Sequence, residues 1–246
     1  MKALILAAGY GKRLRPITNE IPKSMVEVAG QPLLLRALDH LAALGISEIG
    51  IVTGHMSGVI REAVGDAWKG VPVRYFENPD YLVTNNVASL YAARSFCDDE
   101  MLMLECDICY EREMLRALMA GAGDCTILVS PFNPDTMDGT VIRVADGRAL
   151  DLIPGKWQGE DFDYSVTRKT VNMYRFTKEF AQAYLPLVAW YVEHIGSDSY
   201  YETILGSLIY LREFDVRVAE VPEEMWCEVD DAEDLARARA RFGDGN

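Results

Sequence analysis

Between residues 6 and 23 the chain reads Leu6-Ala7-Ala8-Gly9-Tyr10-Gly11-Lys12-Arg13-Leu14-Arg15-Pro16, and then Pro22-Lys23. Four cations, Lys12, Arg13, Arg15 and Lys23, fall within twelve residues that hold one acid, Glu20. The 246-residue protein as a whole carries a formal net charge of −14. Positive charge gathered on a glycine-rich turn in so acidic a chain predicts a phosphate-binding loop. Glycines let backbone N–H groups approach phosphoryl oxygens, and the cations offset their charge. A mere tight turn would not need four cations. Two familiar phosphate loops do not fit. The P-loop spacing G-x-x-x-x-G-K-[ST] is absent. A dinucleotide fold wants a third glycine where Leu14 stands, and Thr53-Gly54-His55 offers no acid for a ribose.

These residues need a scaffold, and the hydrophobic pattern supplies one. Ala3–Ala7, Ile49–Thr53, Val71–Phe76, Met101–Leu104 and Thr126–Ser130 read as strands. Leu33–Leu44, Ser57–Gly65, Ser89–Phe96 and Glu111–Met119 read as the helices between them. The alternation predicts an α/β fold with a doubly wound, mostly parallel sheet. Beyond about residue 130 the rhythm changes. Gly139–Val144 and Ala149–Ile153 flank Asp146-Gly147, a hairpin signal. Strands at Thr170–Phe176 and Asp215–Val221 and helices at Lys178–His194, Ser199–Leu211 and Asp231–Phe242 follow. The expected organisation is one domain over 1–246. Residues 1–130 form its nucleotide-binding core, and 131–246 add an inserted hairpin and helical lid and the closing elements.

Composition removes several classes. A net charge of −14 disfavours nucleic acid and anionic membranes as partners. No apolar run approaches the roughly 18 residues of a membrane span. Lys2 before an apolar stretch invites a signal-peptide reading, but that stretch is short and a Gly/Lys/Arg-rich loop follows it. Five cysteines make no disulfide framework, and Cys106-x-x-Cys109 lacks a second pair, so reduced thiols in a cytoplasmic protein are expected. His40, His55 and His194 lack metal spacing and read as structural. Arg237, Arg239 and Arg241 read as a solvated helix face.

Ala7-Ala8-Gly9-x-Gly11-x-Arg13-Leu14 with Pro22-Lys23 resembles the signature of the sugar-phosphate nucleotidyltransferases, which share the MobA-like NTP transferase fold. Thr84-Asn85-Asn86-Val87-Ala88-Ser89-Leu90-Tyr91 resembles the Asn-rich segment of phosphocholine and phosphonate cytidylyltransferases. Lys169–Phe176, Ser199-Tyr200-Tyr201-Glu202 and Trp226-Cys227-Glu228-Val229-Asp230-Asp231 are similar to the phosphonate branch. Residues 130 to 165 match nothing recognisable.

The resemblance implies roles by matched position. Leu6, Ala7, Ala8, Gly9, Gly11, Lys12, Arg13, Lys23, Asn85, Ser89 and Glu105 would bind the nucleotide. Lys23, Arg13 and Asp107 would carry the chemistry. Asp107 and Asp230, brought to one edge of the sheet, would hold Mg²⁺, which takes oxygen ligands and keeps several waters. The family shows a small residue before the Asp, so Glu105 is an extra acid. Strand alternation puts it on the face of Asp107, to serve either the metal or the base. Arg168 and Lys169 are candidates for the acceptor's phosphonate. Tyr200, Tyr201, Trp226 and Glu228 could surround a substituent such as an ammonium through cation–π contact, although such a stripe also suits a core. The implied reaction transfers CMP from CTP to a small phosphonate and releases pyrophosphate. Phosphocholine or a sugar 1-phosphate is the alternative acceptor, and a non-catalytic regulatory subunit the remote alternative. A homodimer is compatible with this reading.

Overall fold

The computed structural model describes residues 1–134 and 136–243. The chain runs through β1 (Lys2–Ala7), β2 (Glu27–Val28), β3 (Gln31–Pro32), α1 (Leu33–Ala43), β4 (Ile49–Thr53) and α2 (Ser57–Val64). It continues through β5 (Ala67–Trp68), β6 (Val71–Glu77), α3 (Asn86–Ala92), β7 (Met101–Glu105), β8 (Ile108–Tyr110) and α4 (Arg112–Met119). The second half holds β9 (Cys125–Pro131), β10 (Val141–Ala145), β11 (Arg148–Ile153), β12 (Thr167–Phe176), α5 (Lys178–His194) and α6 (Tyr201–Leu211). β13 (Val216–Glu220), β14 (Trp226–Glu228) and α7 (Ala232–Phe242) close the chain.

Ten strands form one sheet in the order β10-β11-β13-β9-β12-β7-β1-β4-β6-β5. Successive residues of a strand point to opposite faces, so an unbroken apolar strand must be covered on both. β1 obeys this. Leu4 and Leu6 enter a core with Leu90 of α3, Phe180 of α5 and Leu205 of α6. Ala3 and Ile5 enter a second core with Leu38 of α1 and Leu115 of α4. A third cluster, with Leu14, Val26, Leu33 and Leu235, fastens the glycine loop to α1 and α7.

The expected mostly parallel sheet is corrected to a mixed one. β6, β4, β1 and β7 run parallel, as do β9 and β13. β12, however, lies antiparallel between β7 and β9. A parallel neighbour requires a crossover, usually helical. The chain instead leaves β9 through the β10–β11 hairpin and returns directly along β12. Apolar runs mark strands but do not state their direction. The helix expected from Ser89 begins earlier, at Asn86, because the Asn85 side chain caps it by accepting from the Asn86 N–H at 2.9 Å. The two-stranded ladder of β8 with β14 was not legible in sequence. Among the described residues, no helix is long and apolar enough to cross a membrane.

Candidate active site

The β8–β14 ladder brings two distant segments together. Ile108 pairs with Glu228, and one step further the Val229 N–H donates to the Asp107 carbonyl at 2.8 Å. Asp107 and Asp230 therefore project from adjacent ends of one ladder. Asp230 is fixed on its other side by α7. The Asp231 side chain accepts from the N–H groups of Glu233 and Asp234, each at 2.9 Å. The Asp234 carboxylate accepts in return from the Asp231 N–H at 3.1 Å, completing a capped helix start, and from the Asp230 N–H at 3.0 Å.

The glycine loop carries Lys23 into the gap between these carboxylates. Gly11 has φ 68, the left-handed region, and a Cβ there would meet Lys23 Cβ and Thr18 Cγ2, each at 2.9 Å. Glycine thus lets the loop fold onto its own return segment, and Thr18 Oγ1 donates to the Gly11 carbonyl at 2.7 Å to close it. Lys23 is 9% exposed. Its Nζ donates to Asp107 Oδ2 at 2.7 Å and to Asp230 Oδ1, while Arg13 donates to Asp230 Oδ2. Burial works to lower the Lys23 pKa, but the charges of Asp107 and Asp230 outweigh it and hold the ammonium far above the ordinary lysine value. Burial likewise tends to raise Asp230; Lys23 and Arg13 overcome it and keep the carboxyl below its usual range. Asp107 Oδ1 is buried and has no hydrogen-bond partner.

Cavities open on either side of this knot. One, of about 220 Å³, is lined by Leu6, Ala8, Gly9, Asn85, Ser89 and Glu105 together with Lys23 and Asp107. Another, of about 300 Å³, is lined by Arg13, Met137, Trp226, Glu228, Asp230 and Arg237. At Gly9 a Cβ would meet nothing within 4 Å, so this face of the loop is open to a ligand.

Several expected residues lie elsewhere. Ala7 is 2% exposed in the core on the opposite face, because strand alternation turns it away from Leu6 and Ala8. Lys12 is exposed and outside both cavities. Arg168 and Lys169 are separated by the same alternation. Arg168 pairs with Glu220 at 3.0 Å, whereas Lys169 is 2% exposed and meets Glu228 at 3.6 Å. Tyr200 is 46% exposed and lines the smaller cavity. Tyr201 is wholly buried, edge-on to Tyr174, and Trp226 is 3% exposed. The four residues therefore do not assemble as an aromatic box. Glu105 also differs from expectation. β7 ends there, so alternation does not carry on to Asp107. Glu105 Oε1 accepts from Asn86 Nδ2 at 3.0 Å and from the Tyr201 hydroxyl at 2.8 Å.

Three polar residues were missed as site candidates. Asn78 Nδ2 donates to Ser89 Oγ at 3.2 Å and to Thr84 Oγ1 at 3.1 Å, which holds the wall of the smaller cavity. Asn86 ties β7 to α6 by also accepting from the Tyr201 N–H at 3.0 Å. Glu202 is 4% exposed at the start of α6. A buried polar side chain is invisible in sequence until its element is placed, although Asn78 directly after a strand was an available signal. The cysteines are all buried free thiols, and burial pushes Cys109 up to about 12, which suits inert packing.

The geometry defines an α/β protein with a cationic glycine loop clasped by two carboxylates at the sheet edge. Residues 3–169 match the MobA-like NTP transferase domain, and the chain belongs to that family. It is 34% identical over 245 residues to the CMP-5'-(3-aminopropyl)phosphonate synthase of Streptomyces rubellomurinus, covering 98% of this chain and 39% of that protein. The chain thus spans about two fifths of that relative's length. It is 25% identical to the CTP:phosphoglutamine cytidylyltransferase of Campylobacter jejuni, covering 96% of this chain and 98% of the relative. The CTP:phosphocholine cytidylyltransferase structure from Streptococcus pneumoniae superposes with a TM-score of 0.77 at 22% identity, covering 97% of each chain, which is a likeness of fold.

Proposed function

We propose that the protein is a cytidylyltransferase that transfers CMP from CTP to a small phosphonate, with release of pyrophosphate. The observation that carries the reading is Lys23, buried between Asp107 and Asp230 at the base of the open glycine loop, with Arg13 on the same cluster. The names of the two relatives, both CMP- or CTP-linked enzymes, support the choice of nucleotide. In this reading the triphosphate lies along Gly9 and Gly11, the base occupies the cavity beside Asn85 and Ser89, and the acceptor approaches from the side of Glu228 and Lys169. Lys12 would then meet the outer phosphates from the surface.

An oxygen of the acceptor's phosphonate attacks the α-phosphorus of CTP; that O–P bond forms as the bond to the β-phosphate oxygen breaks. The acceptor is already anionic near neutral pH, since a phosphate monoester has a second pKa of about 6. No side-chain nucleophile or strong base is required. The barrier is repulsion between anions, about 4 kcal/mol for two unit charges 4 Å apart at an effective dielectric near 20. Lys23 and Arg13 are placed to offset it as charge gathers on the transferring phosphoryl group. Asp107 and Asp230 fit Mg²⁺. Their carboxylates converge, Asp107 Oδ1 lacks a partner, and two carboxylates leave an ion most of its waters. When bound, Mg²⁺ would supply Lewis-acid stabilisation of the phosphates. Among the described residues no three His, Cys, Asp or Glu side chains form a ready-made metal cage.

A pyrophosphate-release assay with each nucleotide against a panel of phosphonates, phosphocholine and sugar 1-phosphates tests the proposal. CTP with a phosphonate should be turned over far better than any other pair. Equal turnover of UTP would move the protein to the sugar-nucleotide enzymes, and no turnover of any pair would favour a regulatory role.

A further inference from the structure

The hydrogen bonds behind the smaller cavity fix more than its shape. Asn78 follows β6 and is 5% exposed, and its backbone N–H donates to the Thr53 carbonyl at 2.9 Å. Its side-chain amide has one orientation. The Asp80 backbone N–H donates to Asn78 Oδ1 at 3.2 Å, and since a backbone N–H can only donate, the amide oxygen must stand there. Nδ2 then faces two hydroxyls, giving one N–H to Thr84 Oγ1 at 3.1 Å and the other to Ser89 Oγ at 3.2 Å. The Thr84 proton goes to the Asp80 carbonyl, at 2.8 Å the nearer of its two acceptors. The Ser89 proton has no such outlet. Among the described residues nothing accepts it, although Ser89 is 5% exposed. Both Ser89 and Asn78 line the cavity proposed for the base.

A serine hydroxyl can turn to donate or to accept. Asn78 donates to this one, so Ser89 is set to donate into the cavity. Cytosine and uracil ask different things of a wall. Both carry an acceptor at O2. At ring N3 cytosine accepts while uracil bears an N–H; at position 4 cytosine donates and uracil accepts. A hydroxyl fixed as a donor therefore favours cytosine over uracil at one place, N3. Uracil there would set its N–H against the hydroxyl proton, or turn that buried proton away from any acceptor.

Resting on the cytidylyltransferase reading, we infer that Asn78 is a positioning residue that sets the polarity of Ser89, so that the Ser89 hydroxyl donates to N3 of the cytosine and selects CTP over UTP. Thr84, on the same amide, has its proton committed to the backbone and takes no part in the selection.

The test uses the full chain with Mg²⁺ and 3-aminopropylphosphonate, comparing CTP, UTP and 3-deaza-CTP, in which a C–H replaces N3, by pyrophosphate release. In the parent, 3-deaza-CTP should fall below CTP in kcat/KM by about 10- to 100-fold, the loss expected when a buried donor is left unpaired. Asn78→Asp presents only acceptors, so Ser89 turns its proton to the new carboxylate and offers a lone pair to the base. The ratio of CTP to UTP should then fall by about 10- to 100-fold, and 3-deaza-CTP should come level with CTP. Thr84→Val removes the other partner of the amide and should leave both ratios unchanged. Should Asn78→Asp not fold, Asn78→Ala, which frees the Ser89 hydroxyl to turn, should lower the CTP to UTP ratio in the same direction. A loss of CTP and UTP turnover together at an unchanged ratio means that Asn78 only holds the wall, and overturns the inference. So does a parent that uses 3-deaza-CTP as well as CTP, because Ser89 then does not meet N3. If CTP supports no transfer, the function proposal falls by itself. Calorimetric affinities of the three nucleotides for the parent and the variants then decide the Asn78 assignment by the same ratios, and binding of none of them removes both proposals.

Discussion

Replacing Lys23 by Met tests whether the lysine acts on the chemistry, the fold or both. Two carboxylate oxygens hydrogen-bond one Nζ, with the Asp107 contact at 2.7 Å. Two such contacts at normal hydrogen-bond lengths put these oxygens about 5 Å apart or less. Without the ammonium they repel by about 3 kcal/mol at an effective dielectric near 20. That equals roughly two pKa units on one of them. The variant should therefore lose on the order of 3 kcal/mol near pH 7.5, or about 6–12 °C in Tm for a chain of this size. The sign with pH follows. In the parent, Asp230 is held low, so its stabilisation is present above the unfolded value and lost as pH falls through the folded one. In the variant one carboxyl is raised, so stability is present at low pH and lost as pH rises through that raised value. The two melting curves should converge only in acid, below the lowered folded value of Asp230, and be furthest apart above pH 6, while Mg²⁺ should restore the variant more than the parent. In steady-state kinetics kcat and kcat/KM should fall together by about 10²–10³, as for loss of one preorganised donor. A Tm gap that ignores both pH and Mg²⁺ would refute the ion-cluster reasoning. A rise in KM alone would demote Lys23 to ground-state binding.

Asp107→Asn or Asp230→Asn should abolish turnover at ordinary Mg²⁺ with the fold retained; near-normal activity with an unchanged Mg²⁺ requirement would remove that residue as a ligand. Gly11→Ala forces a side chain into φ 68 and against Lys23, so it should cost about 1–3 kcal/mol in denaturant unfolding and lower activity. Gly9→Ala meets open space and should keep stability while weakening CTP binding, measured by calorimetry. Glu202 faces Asn86 from α3, Glu105 from β7, Lys169 and Tyr174 from β12 and Glu228 from β14. Burial raises it from 4.5 to about 7, so its share of stability is present below pH 4.5 and lost as pH rises towards 7. Glu202→Gln should flatten the melting curve across that window, and an unchanged slope would contradict the buried-acid reading.

Much of this protein follows from local pattern. The cationic glycine loop, the strand from Ala3 to Ala7, the hairpin at Asp146-Gly147 and helices such as Lys178–His194 need only periodicity, turn chemistry and charge contrast to be read. The convergence of Lys23, Arg13, Asp107 and Asp230 was reached through matched motifs, without knowing what holds them together. Tertiary structure supplied that. The β8–β14 ladder spans more than a hundred residues of sequence, and its two three-residue strands are too short to show a period. The antiparallel insertion of β12 was hidden because an apolar strand looks the same in either direction. Neighbouring residues of similar type also parted company: Arg168 went to Glu220 and Lys169 to Glu228, since a strand turns consecutive side chains to opposite faces. Tyr201 and Glu202 show the same limit. Composition marks them as an aromatic and an acid, but only the packing of α6 makes one a buried hydrogen-bond donor and leaves the other a buried carboxyl with its Oε2 unpaired.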